Sequence, residues 1–207
     1  MNNDDAGATP LDPDERDGLK HKHITTRGEL DELEQANIQT GMRWLSRSRR
    51  KDILTDDFLR TLHYRLFGEV WNWAGTYRRT EKNIGIDPID IGVQLRSLID
   101  DARYWAEHGT YPPLEAAARF HHRMVQIHPF PNGNGRHGRI ATDLYLEQFF
   151  GHEPIEWTHG FDLQTDNERR TAYIAALRDA DRDQYEPLFE FVGMNRGKQR
   201  EQCIAPC

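Results

Sequence analysis

Residues 128–139, HPFPNGNGRHGR, gather a histidine, glycines and arginines in one short stretch. Gly133 and Gly135 permit backbone angles at which successive N–H groups turn inward, at the positive end of the helix expected to follow. Arg136 and Arg139 are three residues apart and share one helix face, where their forked guanidinium groups suit phosphate oxygens. The stretch therefore predicts a binding site for a polyphosphate.

His128 adds a group that can accept a proton at neutral pH, because an imidazole has an unperturbed pKa of about 6.5. Pro129 restricts the chain directly after it. Asn134 can cap the following helix or contact a phosphate directly. His121 and His122 belong to the preceding periodic segment, and we expect them to be packing or surface residues. His128 is the candidate catalytic base.

Apolar residues recur at helical spacing on both sides of this stretch and predict the elements that must position it. The predicted helices cover residues 28–47, 56–68, 91–108 and 113–127, the segment from the glycines to about residue 150, and residues 167–177 and 186–192. Turn-forming residues predict a short β-hairpin or extended flap over residues 77–90. The expected fold class is all-α, a helical bundle with a short β-hairpin flap.

The chain has 207 residues and a formal net charge of -7, so it lacks the broad basic field that would hold nucleic acid. No apolar run is long enough to cross a bilayer, and we expect a cytoplasmic protein without a membrane partner. Polar composition predicts a flexible N-terminal arm over residues 1–23 and a flexible tail over residues 194–207, flanking one domain at 24–193. Cys203 and Cys207 lie in that tail, which indicates a reducing compartment.

The stretch 128–139 resembles the Fic-domain signature, His-Pro-Phe-x-(Asp or Glu)-Gly-Asn-Gly-Arg-x-x-Arg, at all its fixed positions except the acidic one. The segments LHYRLFGEVWNWAGTYR and YIAALRDADRDQYEPLFEFVG are similar to the flanks of Fic domains. The whole chain, including GATPLDPDERDGL, resembles the Fic subgroup called mobile mystery protein B, which is found beside a small helix-turn-helix partner.

This resemblance implies a helical nucleotidyltransferase that moves AMP from ATP, or an NMP from another NTP, to a Ser, Thr or Tyr hydroxyl of a target protein. His128 would act as the general base, and Phe130 would anchor the loop in the core. A set of loop and helix residues would bind the nucleotide: Asn132, Gly133, Asn134, Gly135, Arg136 and Arg139. A second set would form the flap that receives the target by strand addition: Thr80, Glu81, Lys82, Asn83 and Ile84.

Asn132 stands where the family has its Mg²⁺-binding acid. An amide offers one neutral oxygen and Mg²⁺ prefers carboxylates, so Asn132 would be a weak metal ligand through its amide oxygen. Three alternatives stay open: a weakened transferase that still uses Mg²⁺, transfer of a different phosphate-containing group, and a nucleotide-binding module with little or no catalysis.

Restraint of the activity has two candidate sources. Residues 25–29 have the Ser/Thr-x-x-x-Glu spacing of an inhibitory Fic helix, but Leu30 replaces the Gly or Asn that should follow, so an ordinary helix start is favoured. A separate inhibitory or helix-turn-helix partner, as in a toxin–antitoxin pair, is the other source.

A metal hydrolase is the rival reading from a different class of enzyme. Its ligands would come from His121, His122, His128 and His137. These residues lack a His-Glu-x-x-His spacing, and adjacent histidines on a helix point apart, which disfavours the reading.

Overall fold

The computed structural model describes residues 18–23, 27–47, 52–159, 163 and 167–194. The helices in these residues are α1 (Arg27–Arg47), α2 (Asp56–Phe67), α3 (Ile91–His108), α4 (Pro113–Ile127), α5 (Asn134–Phe150), α6 (Glu168–Ala180) and α7 (Glu186–Phe191), with a 3₁₀ turn at Pro88–Asp90. The described residues contain no β-sheet, so the all-α prediction is confirmed. No described helix combines the length and apolar character that crossing a membrane requires.

Local capping chemistry sets most of the helix ends. The Thr55 hydroxyl accepts a hydrogen bond from the Phe58 N–H at 3.1 Å and so starts α2. Gly109 takes the left-handed conformation that ends α3, and Pro113 occupies the first position of α4, where its missing N–H costs nothing. Asn167 caps α6 by accepting from the Arg170 N–H. These caps place the helices close to their predicted bounds.

The core forms around α4 and α5, which pack against each other and are joined by the loop of residues 128–133. Phe120 of α4 and Tyr145 of α5 have ring centroids 5.0 Å apart, and the Tyr145 hydroxyl donates to the Ala102 carbonyl of α3 at 2.7 Å. A smaller apolar cluster joins α4 to α6 and α7. The loop 128–133 is thereby held between two buried helix ends.

Helix α1 packs closely on α2. A Cβ at Gly41 would lie 2.8 Å from the Arg65 carbonyl oxygen, so only glycine allows this approach. The Asn37 side chain donates to the same carbonyl at 3.1 Å and accepts from the Glu69 N–H at 2.9 Å. These contacts fix the position of α1, which supplies Glu34 to the site described below.

The chain before α1 pairs with the domain at residues 18–20. The Lys20 N–H donates to the Val70 carbonyl at 2.9 Å, and the Asn72 N–H donates to the Gly18 carbonyl at 2.8 Å. The end of the expected arm of residues 1–23 is therefore attached to the domain. Residues 1–17 and 195–207 lie outside the described residues, so the arm and the tail stay predictions there.

The predicted β-hairpin flap is wrong, because residues 77–90 form no paired strands. Arg78 explains the difference: its guanidinium donates to the Thr80 carbonyl at 3.0 Å and to the Ile86 carbonyl. One side chain thus satisfies carbonyls at both ends of the segment, in place of a ladder between strands. We call residues 79–87 the flap segment.

Four buried histidines, namely His63, His121, His128 and His137, stay neutral in the folded protein. Burial is the largest cause in each case, since it penalises the charged imidazolium. It lowers the pKa of His121 to about 3 and that of His128 and of His137 to about 4, and it places the pKa of His63 well below its ordinary value.

These histidines predict that acid destabilises the protein. The unfolded chain takes up a proton at each site below about pH 6.5, whereas in the folded chain His128 and His137 do so only near pH 4 and His121 only near pH 3. Stability is therefore fully present above pH 6.5 and declines below it, by up to about 2 kcal/mol per histidine at pH 5. Denaturant unfolding at pH 7, 6 and 5 measures this. His108→Gln, at an exposed site in α3, is the control and should follow the wild type; equal free energies of unfolding at pH 7 and 5 would contradict the account.

Candidate active site

His128 lies at the C-terminal end of α4, in the left-handed conformation with φ 53° and ψ 60°. Its N–H donates to the Met124 carbonyl at 3.3 Å, and its own carbonyl accepts from Arg78 Nε at 2.7 Å. A left-handed non-glycine residue costs roughly 1–2 kcal/mol, so the surrounding contacts must hold it there. The catalytic candidate therefore has its backbone fixed on both sides.

The imidazole of His128 is buried and neutral. Burial is the main cause of its low pKa, and the Arg78 charge lowers the pKa further, while a hydrogen bond with the Val125 backbone opposes both. A neutral imidazole can accept a proton, which a charged one cannot. The protonation state suits the predicted role of a base.

Asn134 gives the loop its shape. Its side-chain oxygen accepts from the Phe130 N–H at 2.9 Å, and its side-chain nitrogen donates to the Phe130 carbonyl at 2.8 Å. Phe130 is fully buried and stacks on His63 with 3.8 Å between ring centroids. Asn134 thus braces the turn with its side chain, and its contact with a phosphate stays a prediction.

The amino end of α5 is where the sequence predicts a cup for an anion. Gly133 is left-handed at φ 76°, and the first helical hydrogen bond runs from the His137 N–H to the Gly133 carbonyl at 2.9 Å. The N–H groups of Asn134, Gly135 and Arg136 come before that bond, so they have no acceptor within the helix. Such a helix end attracts a phosphate.

Asn132 is held by the loop itself. Its side-chain oxygen accepts from the Gly133 N–H at 2.6 Å, and its backbone carbonyl accepts from His63 Nε2 at 3.0 Å. The Gly75 N–H donates to His63 Nδ1 at 3.0 Å, which fixes the tautomer of that ring. The one oxygen that Asn132 could offer a metal is therefore already a hydrogen-bond acceptor.

The described residues do not fit a protein-held Mg²⁺. Among them, no group of three or more His, Cys, Asp and Glu side chains is placed to hold a metal ion. Mg²⁺ prefers an octahedral shell that includes carboxylate oxygens, and Asn132 supplies no charge.

Arg136 points at α1 in this structure. Its guanidinium binds the Glu34 carboxylate at 2.7 Å and lies 4.7 Å from the centre of the Phe67 ring. Glu34 also accepts from Trp71 Nε1 at 2.7 Å, and both members of the ion pair are largely buried. An anion at the end of α5 must therefore compete with Glu34 for this arginine.

Arg139 takes a different neighbour. Its guanidinium lies 5.9 Å from the centre of the Tyr173 ring, and its charge and hydrogen bond lower the Tyr173 pKa against the larger effect of burial. Arg136 and Arg139 both line a groove of about 320 Å³ between α1, α5 and residues 155–158. The structure thus brings the two predicted arginines to one cleft.

The flap segment lies against His128. Thr80, Glu81, Asn83 and Ile84 are exposed, while Lys82 is half-buried and its charge acts on the His128 imidazole. The predicted flap residues are therefore close to the candidate base, although they form no hairpin.

The remaining histidines of the rival metal site have other partners. His121 Nε2 lies 2.7 Å from the Tyr173 hydroxyl, and His137 Nε2 donates to the Leu59 carbonyl at 2.9 Å. His122 Nε2 donates to the Asp181 carboxylate at 2.9 Å. These side chains join helices to one another.

The Thr25 end of the candidate inhibitory motif lies outside the described residues, and Glu29 is exposed in the first turn of α1.

Gly133 should be irreplaceable for the loop. A Cβ there would lie 2.7 Å from two Phe67 ring carbons at a left-handed φ, whereas at Gly135 the nearest atom is 3.6 Å away. We expect Gly133→Ala to lower the free energy of unfolding by about 2 kcal/mol, and Gly135→Ala, the matched control, to change it by less than about 1 kcal/mol. Denaturant unfolding measures both. Equal effects of the two substitutions would show that the loop relaxes freely.

Comparisons with known proteins find one family. Residues 53–146 match the Fic/DOC family. Protein adenylyltransferase fic-1 of Caenorhabditis elegans is 28% identical over 153 residues, which cover 70% of this chain and 28% of that protein. Protein adenylyltransferase Fic of Drosophila melanogaster is 29% identical over 145 residues, which cover 68% and 27%. The chain thus spans less than a third of the length of these relatives.

Solved structures share the fold. Fic-1 from C. elegans superposes with a TM-score of 0.60 at 24% identity, covering 84% of this chain and 51% of that one. BepC of Bartonella tribocorum, solved with bound AMPPNP, gives a TM-score of 0.64 at 18% identity, covering 83% and 88%. The glycine-rich stretch lies within the matched residues 53–146. Over these residues the chain is therefore similar to the Fic/DOC family.

Proposed function

We propose that this protein transfers AMP from ATP, or an NMP from another NTP, to a hydroxyl of a target protein. The observation that carries the proposal is the neutral, buried imidazole of His128 at one end of a six-residue loop, residues 128–133, whose other end leads into the first N–H groups of α5. The names of the relatives, protein adenylyltransferases, support the reaction, and AMPPNP in BepC supports a nucleotide as the ligand.

The reaction needs alignment and charge stabilisation more than covalent help from the protein. The target hydroxyl attacks the α-phosphorus, and a new O–P bond forms. The bond between the α-phosphorus and the oxygen bridging to the β-phosphate breaks, and pyrophosphate leaves with that electron pair. His128 takes the hydroxyl proton.

A bound triphosphate would improve His128 as a base. The pKa of about 4 in this structure makes the ring neutral but weakly basic. Negative charge at the end of α5 would offset the Arg78 charge and raise the pKa toward the working pH.

The arginines would neutralise the leaving group. Arg139 already faces the cleft, and Arg136 would exchange the Glu34 carboxylate for phosphate oxygens. Glu34 would keep its hydrogen bond from Trp71 through Oε1, but Oε2 would lose its partner, so the exchange must offset the cost of breaking a buried ion pair.

Asn132 is the residue on which the alternative functions depend. With its amide oxygen engaged by the Gly133 N–H, metal binding at the loop would depend on ligands from the nucleotide phosphates. A chain that binds nucleotide with little turnover, or that transfers a different phosphate-containing group, fits the same contacts.

The partners and setting of the enzyme belong to the same proposal. The exposed residues of the flap segment would receive a target segment that carries a Ser, Thr or Tyr hydroxyl. Mg²⁺ would arrive with the nucleotide, the reaction would take place in the cytoplasm, and a separate inhibitory or helix-turn-helix partner would restrain it. Membership of the mobile mystery protein B subgroup stays a prediction.

Labelling decides the central point. The protein is incubated with cell lysate and, separately, ATP, GTP, UTP and CTP labelled at the α-phosphate. We expect label on protein with at least one nucleotide, and a loss of about 100-fold or more in His128→Ala, because the base is removed.

The Asn132→Asp variant distinguishes weak Mg²⁺ binding at the loop from a loss of the transferase activity itself. Restoring a carboxylate should increase labelling in the presence of Mg²⁺. Nucleotide-dependent stabilisation against heat without labelling in any lysate, for the wild type and Asn132→Asp alike, would favour a binding module over a transferase.

A further inference from the structure

Arg78 is a buried arginine that no motif points to. Only 3% of its surface is exposed. Its Nε donates to the His128 carbonyl at 2.7 Å, and Nη2 lies 3.4 Å from the Ile127 carbonyl. The backbone N–H of Arg78 donates to the Pro129 carbonyl at 2.9 Å. Arg78 is therefore bonded to three successive residues around the candidate base.

The same guanidinium holds the flap segment. Nη1 donates to the Thr80 carbonyl at 3.0 Å, and Nη2 donates to the Ile86 carbonyl. A planar fork of five N–H donors can reach carbonyls in several directions at once, whereas a lysine ammonium on a flexible stem cannot reproduce that geometry. The residue thus joins the flap segment to the loop through one rigid group.

Gly85 shows how closely the two parts meet. It has φ +100°, and a Cβ there would lie 2.7 Å from both Arg78 Nη2 and the His128 Cβ. The backbone of the flap segment is therefore in contact with the catalytic candidate and with the arginine that holds both. This contact is independent of the hydrogen bonds.

Charge adds a second link between Arg78 and His128. The charged groups acting on the imidazole are Arg78 and, to a smaller extent, Lys82 of the flap segment, and both lower its pKa beside the larger effect of burial. The hydrogen bond with the Val125 backbone, from α4, acts in the opposite direction.

We propose that Arg78 is a positioning residue, which fixes the flap segment and His128 relative to each other and so sets where a target hydroxyl meets the imidazole. This inference rests on the proposed function for its catalytic consequence. Its structural part stands on the contacts alone. A target strand that pairs with residues 80–84 would have a fixed position relative to the His128 imidazole. The reason is that the flap segment and the His128 backbone are hydrogen-bonded to the same Arg78 side chain.

The test compares Arg78→Gln and Arg78→Lys with Arg79→Gln, the exposed neighbour that serves as control. In Arg78→Gln the charge is lost, so the His128 pKa, followed by NMR of the ring protons, should rise toward the ordinary imidazole value. In Arg78→Lys the charge is kept, so the pKa should stay low. In Arg79→Gln the His128 imidazole should titrate as it does in the wild type.

Transfer and hydrogen exchange separate positioning from charge. Both Arg78 variants should speed amide exchange in residues 80–86 by about tenfold or more and lower kcat/KM for the target protein by about 100-fold. In Arg78→Lys, which keeps the charge, the dissociation constant for AMPPNP should change by less than about threefold, because the side-chain contacts that are lost go to carbonyls of the flap segment and of residues 127 and 128. Gly85→Ala, which leaves Arg78 in place, should reproduce the loss of transfer. This variant replaces an Arg78 variant that fails to fold.

Wild-type transfer and unaltered exchange in both Arg78 variants, together with an unshifted His128 titration in Arg78→Gln, would overturn the inference. If the wild type itself transfers no nucleotide, the proposed function fails. The titration and the exchange rates still decide the inference in that case, because neither depends on turnover.

Discussion

The site depends on one buried amide. Asn134 both accepts from and donates to the backbone of Phe130, and this pair of bonds fixes the turn between α4 and α5. In this turn Gly133 is left-handed, and the first N–H groups of α5 have no acceptor within the helix. The stacking of Phe130 on His63 anchors the same turn in the core. Geometry for holding phosphate thus comes from main-chain atoms placed by one side chain.

Arginine side chains lie near that turn and would attract an anion. Arg78 is hydrogen-bonded to the loop, Arg136 and Arg139 lie in the first turns of the helix that follows it, and His128 is neutral because of burial and the Arg78 charge. Glu34 compensates Arg136 in the structure described here. A nucleotide would supply the missing negative charge, neutralise the cleft and make the imidazole a stronger base. Binding and activation of the base would therefore be one electrostatic event.

The sequence predicted the helices and the loop because both depend on local signals. Thr55, Gly109 and Pro113 act on their own helix ends, and the glycines act within a few residues. The hairpin failed because Arg78 satisfies carbonyls that strands would have paired. Arg78 is indistinguishable from Arg79 in the sequence, and Glu34 meets Arg136 across 102 positions. Such long-range partners leave no trace in spacing or composition.

The most direct measurement of the central claim is the affinity for AMPPNP of the wild type, Asn134→Ala and Asn72→Ala, by isothermal titration calorimetry. Asn72 is an exposed asparagine remote from the loop in sequence, and its replacement is the control. If the Asn134 amide shapes the cup, Asn134→Ala should bind at least about tenfold more weakly, a cost of about 1.4 kcal/mol, while Asn72→Ala binds as the wild type. A folded Asn134→Ala variant with wild-type affinity would contradict the account.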